Sequence, residues 1–390
     1  MNVPHSQSPP MTTRARAASA RTTIKTPRHP TTTTRDPRTK ATARDADRVG
    51  TIFGTMMLGW RYASETCDDE TSTAMLRTFV RDGDGRRREL DTAIAYAGGE
   101  TERILGRAFA SDGTLRASDA VVDTKANPWP GGVMTGDAGT GGLSARELRE
   151  QVRRSVESLN GKRIRTLYLH APDSETRLED ALEECERLRR EENAFEDVGL
   201  SNFSAWETVM ACQICERNGW KRPTMYQGMY NALTRNVESE LVPAVRACGM
   251  RFVAYNPLAG GLLTGKYVGA RDGETKITGG RFDGNEMYTR RFFLDCYHDA
   301  VDAVVEACRR HDIDPADAAL RWMYNHSALD GSKGDAVIIG ASSVKQLEAN
   351  LASAAVVEPL PRDVLDAFDD GWRACRSSSA PYFRGHCKLD

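Results

Sequence analysis

Short apolar runs alternate along the chain with longer stretches in which apolar side chains recur every three to four residues. The runs lie near Gly50 to Phe53, Glu89 to Ile94, Ala120 to Lys125, Thr166 to His170, Asp197 to Ser201, Met225 to Gln227, Arg251 to Tyr255 and Ala336 to Gly340. Brief and bounded by polar residues, they predict eight strands. Between them the spacing is helical, as at Leu178, Ala181, Leu182, Cys185 and Leu188, or at Val301, Val304, Val305 and Cys308. Helix starts are marked by capping pairs: Ser144 with Glu147, Ser204 with Glu207, Ser343 with Gln346, and Asp314 ahead of Pro315. Strand and helix in strict alternation imply parallel strands under covering helices, and eight such units predict a (β/α)8 barrel. The rival, an open doubly wound sheet, would carry GxGxxG after its first strand, and the sequence has none there.

Composition separates the first 48 residues from the rest. Residues 1–48 are rich in Thr, Arg, Ser and Pro and lack hydrophobic periodicity, the composition of an organelle transit peptide or of a disordered tail. The expected organisation is an extension over 1–48 and a barrel domain over 49–390. The expected compartment is the cytoplasm, or a plastid or mitochondrion if the extension is a transit peptide. Residues 1–44 hold nine Lys/Arg and one acid; the remainder has 44 basic against 54 acidic side chains, a net of −10, which argues against a nucleic-acid binder. No run of about 18 uncharged apolar residues occurs, so no membrane span is expected. Nine scattered cysteines predict free thiols in a reducing compartment. Cys212 and Cys215 form a CxxC, but no partner pair stands at zinc-ligand spacing, and no metal is expected.

In a barrel of this kind reacting groups sit where strands end. At the proposed strand ends stand Asp91, Lys125, His170, Asn202, Gln227 and Asn256, with Ser342 just past the eighth. Any one is an ordinary strand-to-loop polar residue; the set is hard to explain by packing. Tyr96 follows Asp91 by five residues. An ammonium at Lys125 would stabilise a phenolate and lower the tyrosine's pKa, Asp91 would offset the lysine's charge, and His170 would hold a carbonyl beside the phenol.

The segment LDTAIAYAGGETERILG resembles the first signature of the aldo-keto reductases, and Asp91, Tyr96, Lys125 and His170 fall on that family's catalytic tetrad in order. The resemblance runs from FGTMML at Phe53 to PYFR at Arg384. It is closest to the aflatoxin-aldehyde and succinic semialdehyde reductase branch, in TKANPW, YLHAPD, GLSNF, YQGMYNALTR, AYNPLAGGLLTGKY and GDAVIIGASS. It implies NADPH-dependent reduction of aldehydes and ketones with Tyr96 as proton donor. It further implies that Ser201, Asn202 and Gln227 hold the nicotinamide carboxamide. Asn256, Pro257, Leu258, Gly260, Gly261, Leu262, Gly265 and Lys266 would close over the pyrophosphate, with Arg281 a further cofactor contact. Ser342, Ser343, Gln346 and Asn350 would meet the adenosine phosphate at a helix start. His170, Tyr288, Arg291 and Arg384 look like substrate contacts, and the arginines suit a carboxylate. A small carbonyl compound is the expected partner, with a homodimer left open.

The chain also departs from its relatives. Gln346 stands where many members have a 2'-phosphate-binding arginine, leaving Lys345 as a substitute charge. Asn193 and Ala194 replace Gly-Lys, which should perturb a loop, and the Gly131–Gly142 stretch is longer than expected. Two other readings stay open: a non-catalytic nucleotide-binding subunit resembling potassium-channel beta subunits, and a barrel aldolase or hydrolase using Lys125 or His170.

Overall fold

The computed structural model describes residues 47–60, 67–81, 88–129, 141–270 and 281–388. Eight parallel strands close a barrel in chain order: β1 (Gly50–Gly54), β2 (Glu89–Asp91), β3 (Val121–Ala126), β4 (Ile164–Leu169), β5 (Phe195–Ser201), β6 (Met225–Met229), β7 (Arg251–Tyr255) and β8 (Ala336–Gly340). β8 returns to β1 through Gly50↔Ala336 to Gly54↔Gly340, so no edge is left open. The (β/α)8 architecture is that read from the alternation, and the strands shift by a few residues only at their ends.

Side chains alternate along each strand between two environments. Phe53, Val122, Leu167, Leu200, Tyr226, Phe252, Ala254, Val337 and Ile339 point outward into the main core beneath the helices. Ile52, Val253, Ala336 and Ile338 form a separate apolar cluster with Tyr255 beside it, on the inward face of β7, β8 and β1. On β2 and β3 the inward positions are charged: Glu89, Asp91, Asp123 and Lys125. One wall of the barrel interior is therefore apolar and the other polar.

β2 ends at Asp91 and not at Ile94. Past it the Thr92 carbonyl turns to the Lys125 ammonium at 2.7 Å, while Thr92 N and Ile94 N still bond the Asp123 and Lys125 carbonyls at 2.8 and 3.4 Å. Ser144/Glu147 and Ser204/Glu207 form complete capping boxes. The third is half a box: Ser343 Oγ accepts from Gln346 N, but Gln346 Oε1 reaches back to Ser342 N at 3.0 Å and Oγ at 3.1 Å. Asp314 caps Ala316 N at 2.8 Å with Pro315 at the first helical position. Asn193 takes φ 48°, a left-handed turn that asparagine tolerates, so the turn before β5 survives without glycine.

Residues 1–46 of the extension and 130–140 of the glycine-rich stretch lie outside the described residues. Arg48 already belongs to the fold, bonding the Ala354 and Ala355 carbonyls at 2.9 and 3.0 Å, so ordered contacts begin before residue 49. No helix among the described residues is long and apolar enough to cross a membrane. None of the nine cysteines forms a disulfide; Cys212 and Cys215 are buried in the helix Ala205–Asn218, and burial pushes the Cys215 thiol up to about 12, which disfavours the thiolate that redox or metal chemistry needs.

Candidate active site

A cavity of about 530 Å³ opens at the C-terminal ends of the strands. Its floor is built by the polar wall. Lys125 is fully buried, and its three donors meet Asp91 Oδ1 and Oδ2, both at 2.8 Å, and the Thr92 carbonyl; Tyr96 Oη lies 3.3 Å away. Gln227 Nε2 donates to Asp91 Oδ1 at 2.7 Å, so the carboxylate is fixed from β3 and β6, while Thr55 Oγ1 donates to the Asp91 backbone carbonyl at 2.8 Å. The His170 ring stands edge-on to Tyr96 with centroids 6.0 Å apart.

The charge states follow from this packing. Burial drives the Lys125 pKa below its ordinary value even though Asp91 opposes the shift. Burial first, then Lys125 and Arg384, holds His170 well below the usual histidine range, so the ring is neutral at neutral pH. Its Nδ1 is buried without a hydrogen-bond partner. The tyrosine corrects an expectation: burial, Asp91, Tyr288 and Tyr255 push the Tyr96 phenol well above its ordinary pKa, and Lys125, occupied by Asp91, does not reverse this. The phenol is thus protonated at rest.

Beside this floor Ser201, Asn202 and Gln227 line the cavity together. Asn202 Nδ2 donates to the His170 carbonyl at 2.8 Å and Ser201 Oγ at 3.0 Å, while Asn202 Oδ1 accepts from Tyr255 Oη at 2.7 Å. That leaves the Ser201 hydroxyl hydrogen as donor and Gln227 Oε1 as acceptor, one of each, as a primary carboxamide requires. Asn202 and Asn256, at φ 61° and 57°, close β5 and β7 in the left-handed region, a reason for asparagine at both positions.

Asn256, Pro257, Leu258, Gly260, Gly261 and Lys266 line the cavity along the loop after β7. Gly260 and Gly261 stand at φ 72° and 102°, and the Asn256 Nδ2 is a buried donor with no partner. Leu262 is instead packed in the core, and Gly265 turns the chain against Val305 and Pro315, so these two shape the loop from behind. Arg281 crosses the cavity to Asn256 Oδ1 at 3.2 Å and Tyr288 Oη at 3.3 Å. Ser342, Gln346 and Asn350 line the end formed by the helix Val344–Ala355; Ser343 caps that helix and does not face the cavity. An elongated slot with a carboxamide-sized polar corner, a glycine loop at its side and a helix N-terminus at its end fits a nicotinamide dinucleotide.

Tyr288 and Arg384 line the opposite mouth. Arg291 is largely buried just behind; burial, then Arg384, holds it below the ordinary guanidinium range. Neither arginine forms an ion pair among the described residues. The sequence reading missed Trp129 and Tyr255. The Trp129 ring lies 5.5 Å from that of His170 and beneath the Arg384 guanidinium at 5.7 Å. Both had a signal: Trp129 ends TKANPW beside the Lys125 strand, and Tyr255 closes β7 at an inward position.

Fold and site together define a barrel oxidoreductase built around a Lys-Asp-Tyr-His cluster. The chain belongs to the aldo/keto reductase family, whose sequence model matches residues 51–373. It is 42% identical over 365 residues to aflatoxin B1 aldehyde reductase member 2 of Mus musculus, covering 91% of this chain and 93% of that protein. It is 42% identical over 348 residues to aldo-keto reductase family 7 member A3 of Homo sapiens, covering 86% and 98%. Similarity extends to the aldo-keto reductase pigE of Monascus ruber, 33% identical over 314 residues, 80% of this chain and 89% of that one. The family works with nicotinamide cofactors on small carbonyl substrates.

Proposed function

We propose that this chain reduces aldehydes and ketones to alcohols with NADPH, that Tyr96 donates the proton, and that acidic aldehydes are favoured substrates. The observation that carries the reading is the Lys125 ammonium held by Asp91 and standing 3.3 Å from Tyr96 Oη. Bound in the cavity, NADPH would supply the hydride that the carbonyl carbon accepts, leaving the oxygen one proton short. Tyr96 is protonated at rest and gives that proton. The charge left on its oxygen is met by Lys125, and the phenol regains a proton from solvent. The neutral His170 ring offers a hydrogen bond that orients the carbonyl oxygen beside the phenol.

Preference for NADPH over NADH rests on two cations lining the slot, Lys266 and Arg281, with Lys345 exposed on the last barrel helix. Gln346 contributes less than its position suggests, because its Oε1 is bonded to Ser342. Preference for acids rests on Arg291 and Arg384, two cations without counter-ions beside the tetrad. Similarity to an aflatoxin B1 aldehyde reductase of Mus musculus supports aldehyde reduction.

The test is nicotinamide oxidation by the purified chain across a panel of neutral and carboxylated aldehydes, with NADPH and with NADH in parallel. Carbonyl-dependent NADPH oxidation, faster with succinic semialdehyde than with an uncharged aldehyde of similar length, is expected. Cofactor binding, seen as protein fluorescence quenching, with no turnover on any carbonyl would favour a non-catalytic subunit instead.

A further inference from the structure

The chain's last described stretch, Tyr382 to Lys388, runs without helix or regular strand across the ends of β4 and β5 and carries Arg384 into the cavity. Tyr382 Oη accepts from Ala205 N at 3.1 Å and donates to Glu240 Oε2 at 2.9 Å. Arg384 N donates to the Asn202 carbonyl at 2.9 Å, and Lys388 N to the Asp173 carbonyl at 3.1 Å. Between these, Cys387 N donates to Glu207 Oε1 at 2.7 Å, and Gly385 at φ 69° makes the turn from Arg384 toward that anchor.

Glu207 is fully buried, and both of its oxygens are used. Oε2 closes the cap of the helix Ala205–Asn218, accepting from Ser204 N at 3.0 Å and Ser204 Oγ at 2.5 Å, with His386 Nδ1 at 3.4 Å. Oε1 takes the strap. The sister box at Ser144 shows what capping alone requires: Glu147 bonds Ser144 N and Oγ through Oε2 and is only half-buried. A fully buried carboxylate with a second oxygen aimed at the strap goes beyond capping.

We propose that Glu207 is a positioning residue for substrate selection: it touches neither substrate nor cofactor, but by holding Cys387 it sets where the Arg384 guanidinium stands. The inference rests on the proposed role of Arg384 in binding acidic aldehydes. Three Cα-to-Cα steps, through Gly385 and His386, lead from Arg384 to Cys387, so losing this anchor frees a tether of about 10 Å beside the cavity.

The experiment measures kcat and KM on succinic semialdehyde and on an uncharged aldehyde for four variants. Glu207→Gln keeps a carbonyl oxygen for the cap but sets an NH2 against Cys387 N; it raises KM for the acid by about fivefold to twentyfold, with kcat on the neutral aldehyde within about twofold. Cys387→Pro deletes the same bond from the other side and reproduces the effect if Glu207→Gln does not fold. Ser204→Ala weakens the cap but keeps the strap bond, lowering the melting temperature by about 1–4 °C with the acid-to-neutral ratio unchanged. In an Arg384→Ala background, Glu207→Gln costs nothing further on the acid. Equal losses on both aldehydes, or an undiminished loss in that background, would overturn the proposal. If Arg384→Ala alone leaves the ratio unmoved, the reading of Arg384 itself fails. If Arg384→Ala collapses the ratio and both anchor variants leave it intact, only the role of Glu207 fails.

Discussion

Two charged clusters share the polar wall of the barrel, one turn of the pleat apart, and they behave in opposite ways. At the strand starts Arg165 forks onto Asp123 and reaches Glu89 at 2.8 Å, while Arg251 meets both Glu89 oxygens at 3.0 and 3.1 Å. Burial alone would raise the Glu89 carboxyl, yet Arg165 and Arg251 hold it down to about 2. Two residues further along the same strands, Asp91 and Lys125 form the mouth cluster. There the partners pull against each other: the lysine is pushed down, the tyrosine up, and the histidine is left neutral with a bare Nδ1. The lower cluster sets two guanidinium groups on its carboxylates and holds Glu89 ionised, while burial outweighs Arg165 at Asp123 and raises that carboxyl. The upper one leaves protons and lone pairs facing a cavity, so the same residue types become available for chemistry.

The largest expected effect breaks the upper cluster. Tyr96→Phe removes the proton donor and keeps the ring, so kcat falls by about 10² to 10⁴ while NADPH affinity from fluorescence titration hardly changes. Retained turnover would return Tyr96 to the role of a packed aromatic.

The lower cluster should respond in the other currency, stability. Arg165→Met leaves Asp123 buried beside Glu89 with only Arg251 nearby, and such removal of one partner costs about 3–5 kcal/mol. Denaturant unfolding measures the loss, and the kcat of the fraction that stays folded should match wild type. A fall in kcat at full occupancy of the native state would show that the two clusters are coupled through β3.

Next in size is the substrate side. Arg384→Ala should lower kcat/KM for succinic semialdehyde by about tenfold to a hundredfold, the worth of a charge-assisted bond, and move an uncharged aldehyde far less. A similar loss on both would trace the effect to disturbance of the C-terminal strap.

Much of this was legible in the sequence because it obeys short-range rules. Strand and helix periods give the barrel, and motifs tied to strand ends place Asp91, Tyr96, Lys125 and His170 at its mouth. The lower cluster was not legible. Glu89, Asp123, Arg165 and Arg251 sit at strand starts among other charges, as in GRRRELD and GKRIRTL, where they read as solvated flanks. Only barrel closure brings β2, β3, β4 and β7 around one axis. Tyr96's raised pKa escaped for a related reason: the lysine was visible, but that its donors are taken up by Asp91 and Thr92 is a fact of packing. That Leu262 and Gly265 stand behind the cavity lining was not legible either, because a loop motif does not reveal which residues face inward.

A third carboxyl sharpens the comparison, since it is buried and forms no ion pair among the described residues, with Lys125 and Arg103 acting on it only at a distance. Glu102, in the helix Glu100–Ser111, accepts from Thr124 Oγ1 at 2.5 Å on the outward face of β3, and its other oxygen has no partner. Burial prevails over Thr124 and Ser155 and raises its pKa to about 7. The folded state therefore binds a proton that the unfolded chain releases near 4.5. The sign follows: this group's stabilising contribution is complete below about pH 4.5 and is lost as pH rises through about 7, the reverse of Glu89, whose contribution is present above about 4.5 and lost as pH falls toward 2. Glu102→Gln is neutral at every pH and keeps a carbonyl for Thr124. Relative to wild type it should gain about 2–3 kcal/mol between about pH 5 and pH 8, read from paired denaturant curves. A difference that stays flat with pH would mean that Glu102 is already ionised in the fold, with a counter-charge or water at its second oxygen.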